Sequence, residues 1–344
     1  MTNPMPLDAM VVAANATLAD ANRHRVVQPS PGAAPRFDLY HAGLSVCSQK
    51  VRTVLAEKGV PYRSHEMVIL NSRGIYSAEL TPAENYQPAY VKLRMRGGAQ
   101  LGRPKASGYS GRSAVETEGF DACVVPTLVD GQTNEVIVDS VRICEYIDAQ
   151  VPLPQRLIPA QSDVTTAVRE QLAIVDGTPH PAVLYGFHPE DDRRPDFIKQ
   201  VMSDVYELKI SALRQLIDEN RNDAELVATY EAKISKEAGG KSVARDPVKQ
   251  HAVRAELQRI IEALDRQLAG RAAPWVCGPD FTLADVFWGV SLYRLHWLGL
   301  ASLWSKLPRV AAYTQALYQR PSLRAAVLQW PSPMPASPHT ADVV

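Results

Sequence analysis

RFDLYHAGLSVCSQKVRTVLAEKGVPYRSHEMVIL, residues 36–70, changes its periodicity twice. Residues 36–41 alternate, with Phe37 and Leu39 set between polar neighbours, which predicts a short strand. Over residues 46–58 the period lengthens. Val51, Val54 and Leu55 share a helical face, and Gly59 followed by Pro61 supplies a stop. Residues 62–70 read as a second strand. A strand, a helix and a strand in this order predict a crossover unit whose two strands run parallel.

Cys47 falls where the first strand gives way to the helix. A helix N-terminus carries unpaired N–H groups and about half a positive charge, so it favours a thiolate over a thiol. Lys50 and Arg52 stand nearby and could add to that field. A buried packing cysteine is the other reading of the same position. The local string is Cys47-Ser48-Gln49-Lys50, with lysine where a dithiol redox motif carries its second cysteine. A mixed disulfide formed at Cys47 therefore needs an external thiol to release it. In a reducing compartment the obvious candidate is glutathione.

Moving outward, residues 1–35 read as an N-terminal arm, with a short helix over about 10–19 and a Pro/Gly/Ala-rich linker over 28–35. Residues 71–120 are polar, rich in Gly, Ser and Arg, and read as an insertion with a short helix near 86–94. Residues 124–129 and Glu135–Val138 are apolar runs around Asp130-Gly131, a hairpin signal. Ser140–Gln150 reads as a helix. Val125-Pro126 places a proline at a strand start, where a trans edge proline and a cis turn are both open. Asp139-Ser140 precedes a helix, so it can cap that helix, hold a ligand carboxylate, or do both.

Beyond residue 152 strand signals nearly vanish. Val253, Leu257, Ile260, Ile261, Leu264 and Leu268 mark one helix face. Thr282-Leu283-Ala284-Asp285 reads as a capping box with Asp for Glu, opening an apolar helix. Trp288, Tyr293 and Trp297 read as core, Cys123, Cys144 and Cys277 as packing residues, and Arg193-Arg194 with Asp191-Asp192 as a solvated charge cluster. The division is thus an arm (1–35), an α/β domain (36–152, insertion at 71–120), an all-helical domain (153–330) and a frayed Pro-rich tail (331–344).

Bulk properties narrow the classes. The 344 residues are 46% hydrophobic and carry 37 Lys+Arg against 37 Asp+Glu. There is enough apolar material for two cored domains and no basic excess for a nucleic-acid partner. No apolar run reaches about 18 residues, so no membrane span is expected. No signal peptide is read either, which points to the cytoplasm. The four cysteines form no CxxC pair, which argues against a structural metal site.

Taken in order, Cys47-Ser48 opening a helix, Val125-Pro126, Asp139-Ser140 and the capping box at Thr282 resemble the glutathione transferase family over most of residues 36–330. A narrower resemblance, to bacterial 2,5-dichlorohydroquinone reductive dehalogenases, is carried by Phe281–Asp285 and four further segments. These are SVCSQKVR from Ser45, Glu118-Gly119-Phe120-Asp121, Asp191-Asp192-Arg193-Arg194-Pro195 and Ser291-Leu292-Tyr293-Arg294. The insertion suits that subgroup, and tetrachlorohydroquinone dehalogenases share the Cys-Ser start more distantly.

The resemblance implies a thioredoxin-like domain followed by a helical bundle, acting as a homodimer with glutathione as cosubstrate and no metal. It implies Cys47 as the nucleophile and Ser48 as a hydrogen-bond donor to the reacting sulfur. Val125, before a cis Pro126, would pair with the glutathione backbone. Asp139 and Ser140 would hold its γ-glutamyl end, although Glu-Ser is the commoner pair. His180 and Tyr185, early in the helical domain, could contact a phenolic oxygen of a small aromatic substrate. The implied reaction is reductive dehalogenation of a chlorinated hydroquinone through a glutathionyl conjugate and a Cys47–glutathione disulfide. Two other readings keep the fold. One is a glutathionyl-hydroquinone reductase or another transferase or lyase of aromatic catabolism, and the other is a glutathione-binding protein without activity.

Overall fold

The computed structural model describes residues 5–28, 32, 34–75, 77–152, 154–270, 274–332 and 334–343. Helix α1 (Leu7–Asn15) and strand β1 (His24–Val27) precede β2 (Phe37–His41), α2 (Val46–Glu57) and β3 (Tyr62–Glu66). Helices α3 (Pro88–Gly98) and α4 (Val115–Glu118) follow, then β4 (Thr127–Asp130), β5 (Glu135–Val138) and α5 (Ser140–Gln150). The five strands form one sheet in the order β1-β3-β2-β4-β5. β2 is parallel to β3, with Phe37 opposite Tyr62, and antiparallel to β4, with Tyr40 opposite Thr127.

β2 is buried along its whole length, as a central strand covered on both faces must be. Alternation sorts its side chains. Phe37 and Leu39 join Val51, Val54, Leu55, Ile143 and Ile147 on the face covered by α2 and α5. Tyr40 joins Tyr90, Leu93, Val129 and Val138 on the face covered by α3 and α1.

The C-terminal part is helical: α6 (Ser162–Asp176), α7 (His180–Tyr185), α8 (Asp196–Val201), α9 (Val205–Glu219), α10 (Ala224–Ala244), α11 (Pro247–Gln267), α12 (Leu283–Trp297) and α13 (Pro308–Tyr318). Nearly all of α12 is buried, and it lies against both α2 and α6. The capping box forms as read. Asp285 accepts the Thr282 N–H at 2.8 Å and its hydroxyl at 2.9 Å, and also takes the Val276 N–H and the Tyr313 hydroxyl. Trp288, Tyr293 and Trp297 are core residues. Among the described residues, no helix is long and apolar enough to cross a membrane.

Several expectations are corrected. The 1–35 arm contains β1, which pairs antiparallel with β3 and closes that sheet edge. Half of its 28–35 linker (29–31 and 33) lies outside the described residues. The 71–120 stretch supplies α3, a structural helix of the α/β layer as well as inserted loops. A Cβ on Gly97 would come within 2.7 Å of the Val136 oxygen, so Gly97 lets α3 approach β5, and one on Gly98 would enter the Phe120 ring, so Gly98 makes room for that side chain. The second strand ends at Glu66, short of Leu70. The tail is packed: the Ser337 hydroxyl donates to the Trp297 carbonyl at 2.7 Å, and Thr340 is buried. Arg194 is buried as well; it pairs with Asp192 at 2.7 Å and donates to the Leu184 carbonyl, so only part of that charge cluster is solvated.

Candidate active site

A cleft of about 200 Å³ lies between the α/β layer and the helices. Its floor is the β2–α2 junction. Ser45 caps α2 by accepting the Ser48 N–H at 3.3 Å, which makes Cys47 the second residue of the helix, in reach of its unpaired N–H groups. Cys47 is half-buried and lines the cleft. The loop leading to it is pinned from behind. The buried Arg52 guanidinium donates to the Ala42 carbonyl at 3.1 Å, the Gly43 carbonyl at 3.2 Å and the Ala326 carbonyl at 3.0 Å, and Arg294 donates to the Leu44 carbonyl.

Val125 and Pro126 line the same cleft, joined by a cis peptide. Arg94 of α3 fixes this loop by donating to the Asp121 carbonyl at 2.9 Å, the Thr127 hydroxyl at 3.0 Å and the Pro126 carbonyl. Asp139 sits at φ 76° and caps α5, its carboxylate accepting the Val141 N–H at 3.0 Å and the Arg142 N–H at 3.3 Å. Burial, and then the charge of Asp176, raises the Asp139 pKa. Ser140, the first residue of α5, faces the cleft as well.

His180 and Tyr185 enter from α7. His180 is buried, its Nε2 2.9 Å from the Ser291 hydroxyl, and its Nδ1 has no hydrogen-bond partner. Burial first, then the Lys50 and Arg294 cations, push its pKa well below the usual histidine value, so it is neutral. The Tyr185 hydroxyl accepts from Lys209 Nζ at 3.1 Å. Lys209 belongs to a buried charge network in which Glu237 bridges Lys209 at 3.2 Å and Lys233 at 2.8 Å, and Lys233 reaches Asp121 at 2.8 Å. Burial works against the charge on Asp121, but Lys233 and Lys236 hold it well below the carboxylate range.

Ser48 is the exception among the residues singled out. It is fully buried, its hydroxyl accepts the Ala42 N–H at 3.2 Å, and it does not line the cleft. The hydroxyl beside the sulfur belongs to Ser113, 3.6 Å from Cys47 Sγ. Ser113, Arg112, Lys209, Lys233 and Glu237 carry no local motif. Arg294 and Asp121 do lie in segments that carried the narrower resemblance.

Comparison with known proteins places this geometry among relatives. Residues 44–150 match the family model of the glutathione S-transferase N-terminal domain, and residues 228–316 match that of the C-terminal domain. The chain is 42% identical over 306 residues to a 2,5-dichlorohydroquinone reductive dechlorinase of Sphingobium indicum, covering 88% of this chain and 85% of the relative. It is 26% identical over 296 residues to a tetrachloro-p-hydroquinone reductive dehalogenase of Sphingobium chlorophenolicum, covering 85% and 96%. Among solved structures it resembles a beta-etherase from Sphingobium sp. strain SYK-6 with a TM-score of 0.56 at 17% identity, covering 85% of this chain and 98% of that one.

Proposed function

This chain belongs to the glutathione transferase family, and from that premise we propose that it is a glutathione-dependent reductive dehalogenase of chlorinated hydroquinones with Cys47 as its reacting thiol. The observation that carries the reading is Cys47 at the start of α2, inside a cleft that also holds Val125, Pro126, Asp139 and Ser140, with the position of a resolving cysteine taken by Lys50. Lys50 is buried and paired with Asp176 at 2.6 Å.

The donor set suits glutathione. The Val125 backbone is available to an extended peptide, and the Ser140 hydroxyl and its own N–H, at the first position of α5, suit a carboxylate. For the aromatic partner, the unpaired Nδ1 of His180 and the Tyr185–Lys209 pair offer contacts to phenolic oxygens.

Three steps balance. The thiolate of the first glutathione attacks a chlorinated carbon of the keto form of the ring; a C–S bond forms and chloride leaves with the C–Cl electron pair. The Cys47 thiolate then attacks that sulfur. The S–S bond forms, the C–S bond breaks with its electron pair left on the ring, and the ring takes up a proton. The thiolate of a second glutathione attacks the Cys47–glutathione disulfide, restoring the Cys47 thiolate and releasing glutathione disulfide. Two thiols are oxidised and one C–Cl bond is reduced to C–H. In the same reading the enzyme is a cytoplasmic homodimer, which light scattering on the purified protein checks.

Mass spectrometry of the enzyme turning over 2,5-dichlorohydroquinone with glutathione tests the reading. Wild type is expected to carry glutathione on the Cys47 peptide and to release the dechlorinated ring. Cys47→Ser is expected to release chloride yet accumulate the ring–glutathione conjugate. Full ring reduction by Cys47→Ser would end the proposal.

A further inference from the structure

Ser48 follows Cys47 directly, but its hydroxyl is turned into the core and held against the Ala42 N–H. The hydroxyl within reach of the sulfur comes from Ser113, 66 residues further along the chain. This placement is braced from several sides. Next to Ser113, Arg112 donates through Nε to the Gly177 carbonyl at 2.9 Å and pairs with Glu256 of α11 at 2.5 Å. Gly111, at φ 81°, brings the chain so close to α7 that a Cβ would lie 3.0 Å from that of Ala182. On the other flank, Glu118 accepts the Ser110 N–H at 2.7 Å and pairs with Lys236 of α10 at 2.5 Å. Residues 110–118 are thereby tied to three helices of the C-terminal part, with Ser113 over the β2–α2 junction.

We infer that Ser113 is a working part of the thiol site: its hydroxyl donates a hydrogen bond to the Cys47 sulfur and stabilises it as the thiolate that attacks and is later released. The inference rests on the reading of Cys47 as the reacting thiol. A hydroxyl to a charged sulfur is a charge-assisted bond, stronger than the same bond to a neutral thiol, so it shifts the balance toward the nucleophilic form. It also gives the 71–120 stretch a chemical task, since an ordinary local motif around Cys47 provides no free hydroxyl here.

Other groups set the background for this effect. Lys50 on α2 and Arg294 on α12 both sense the Cys47 charge, as does the buried Cys144 of α5. Arg112, Asp139 and the neutral His180 line the same cleft, and Asp176 balances Lys50. None of these is altered by changing Ser113, so the pH profile isolates the hydroxyl.

The test is the iodoacetamide alkylation rate of Cys47 in the full-length protein, followed by mass spectrometry from pH 5 to 9, for wild type, Ser113→Ala and Ser113→Thr. Ser113→Ala is expected to slow alkylation at neutral pH by about three- to tenfold and to move the profile toward higher pH. Ser113→Thr, which keeps the hydroxyl, is expected to recover most of the rate. Ser113 is exposed, so the thermal midpoint should stay in place in both variants. A Ser113→Ala profile that overlays wild type overturns the inference. Because alkylation needs no chlorinated substrate, that failure is distinct from failure of the dehalogenase reading, which Cys47→Ser turnover reports.

Discussion

Lys50 Nζ lies 2.6 Å from Asp176 Oδ1, so the helix that carries Cys47 is ion-paired to the end of the first helix of the C-terminal part. Lys50 is buried over the Phe287 ring, 4.1 Å from its centre. Burial opposes its charge, but Asp176 and then Cys47 outweigh it, and its pKa stands above the ordinary lysine value. Lys50→Met keeps the volume and strands the Asp176 carboxylate. It should cost about 2–3 kcal/mol, because one partner of a largely buried pair is lost. The urea midpoint reads the loss, and a variant as stable as wild type contradicts it.

Acid should weaken the fold before the carboxylates of the core titrate. His24, His41, His180, His188 and His296 all have lowered pKa values, with burial the leading cause in each, and His41 and His180 lie well below 6.5. The unfolded chain takes up protons near pH 6.5 that these folded sites refuse. Stability is therefore complete above that value and falls as pH drops through it, by on the order of 1 kcal/mol per pH unit for each of the buried His41 and His180, and by less for the three partly exposed rings. The raised Asp139 and Asp285 pull the other way, two groups against five. Urea midpoints should decline from pH 7 to 5.5; a flat profile over that window would refute this account.

His180→Phe removes an unpaired acceptor or donor from the cleft wall while keeping a ring in the space. We expect kcat/KM for the aromatic substrate to drop about tenfold, the size of one hydrogen bond lost in a dry site, and KM for glutathione to hold within about twofold. Equal losses for both substrates would show that the histidine is only scaffolding.

Gly240 of α10 lies so close to Tyr206 that a Cβ there would stand 2.7 Å from the ring and from its hydroxyl. Tyr206 lines the cleft, and Gly240→Ala is expected to shift the phenol into it. The expected result is a KM for the aromatic substrate raised severalfold, with a stability cost of about 1–2 kcal/mol from overpacking. Titration calorimetry with the hydroquinone checks it; unchanged affinity would mean the ring gives way elsewhere.

Much of this could be read from residues alone, and the misses share a cause. Residues 36–70 announce β2, α2 and β3 because apolar spacing decides which face is buried. Ser140–Gln150 was legible for the same reason. α3 was hard to see because its buried side includes Arg94, Gly97 and Gly98, whose burial is decided by the Pro126 loop, β5 and Phe120, all later in the chain. Ser48 and Ser113 show the limit most directly. The family resemblance implied one hydroxyl for the sulfur, and only the path of the chain through space brings the other to it.

Trp330 joins both ends of the α/β layer's story. Its indole donates to Glu66 at 3.1 Å across 264 residues, and Arg25 and Arg52 stack on its ring at 4.6 and 4.3 Å. These contacts to the β1–β3 edge can therefore form on the ribosome only once residue 330 has emerged, long after both strands. An early-made pair of strands thus takes one of its partners from a residue synthesised much later.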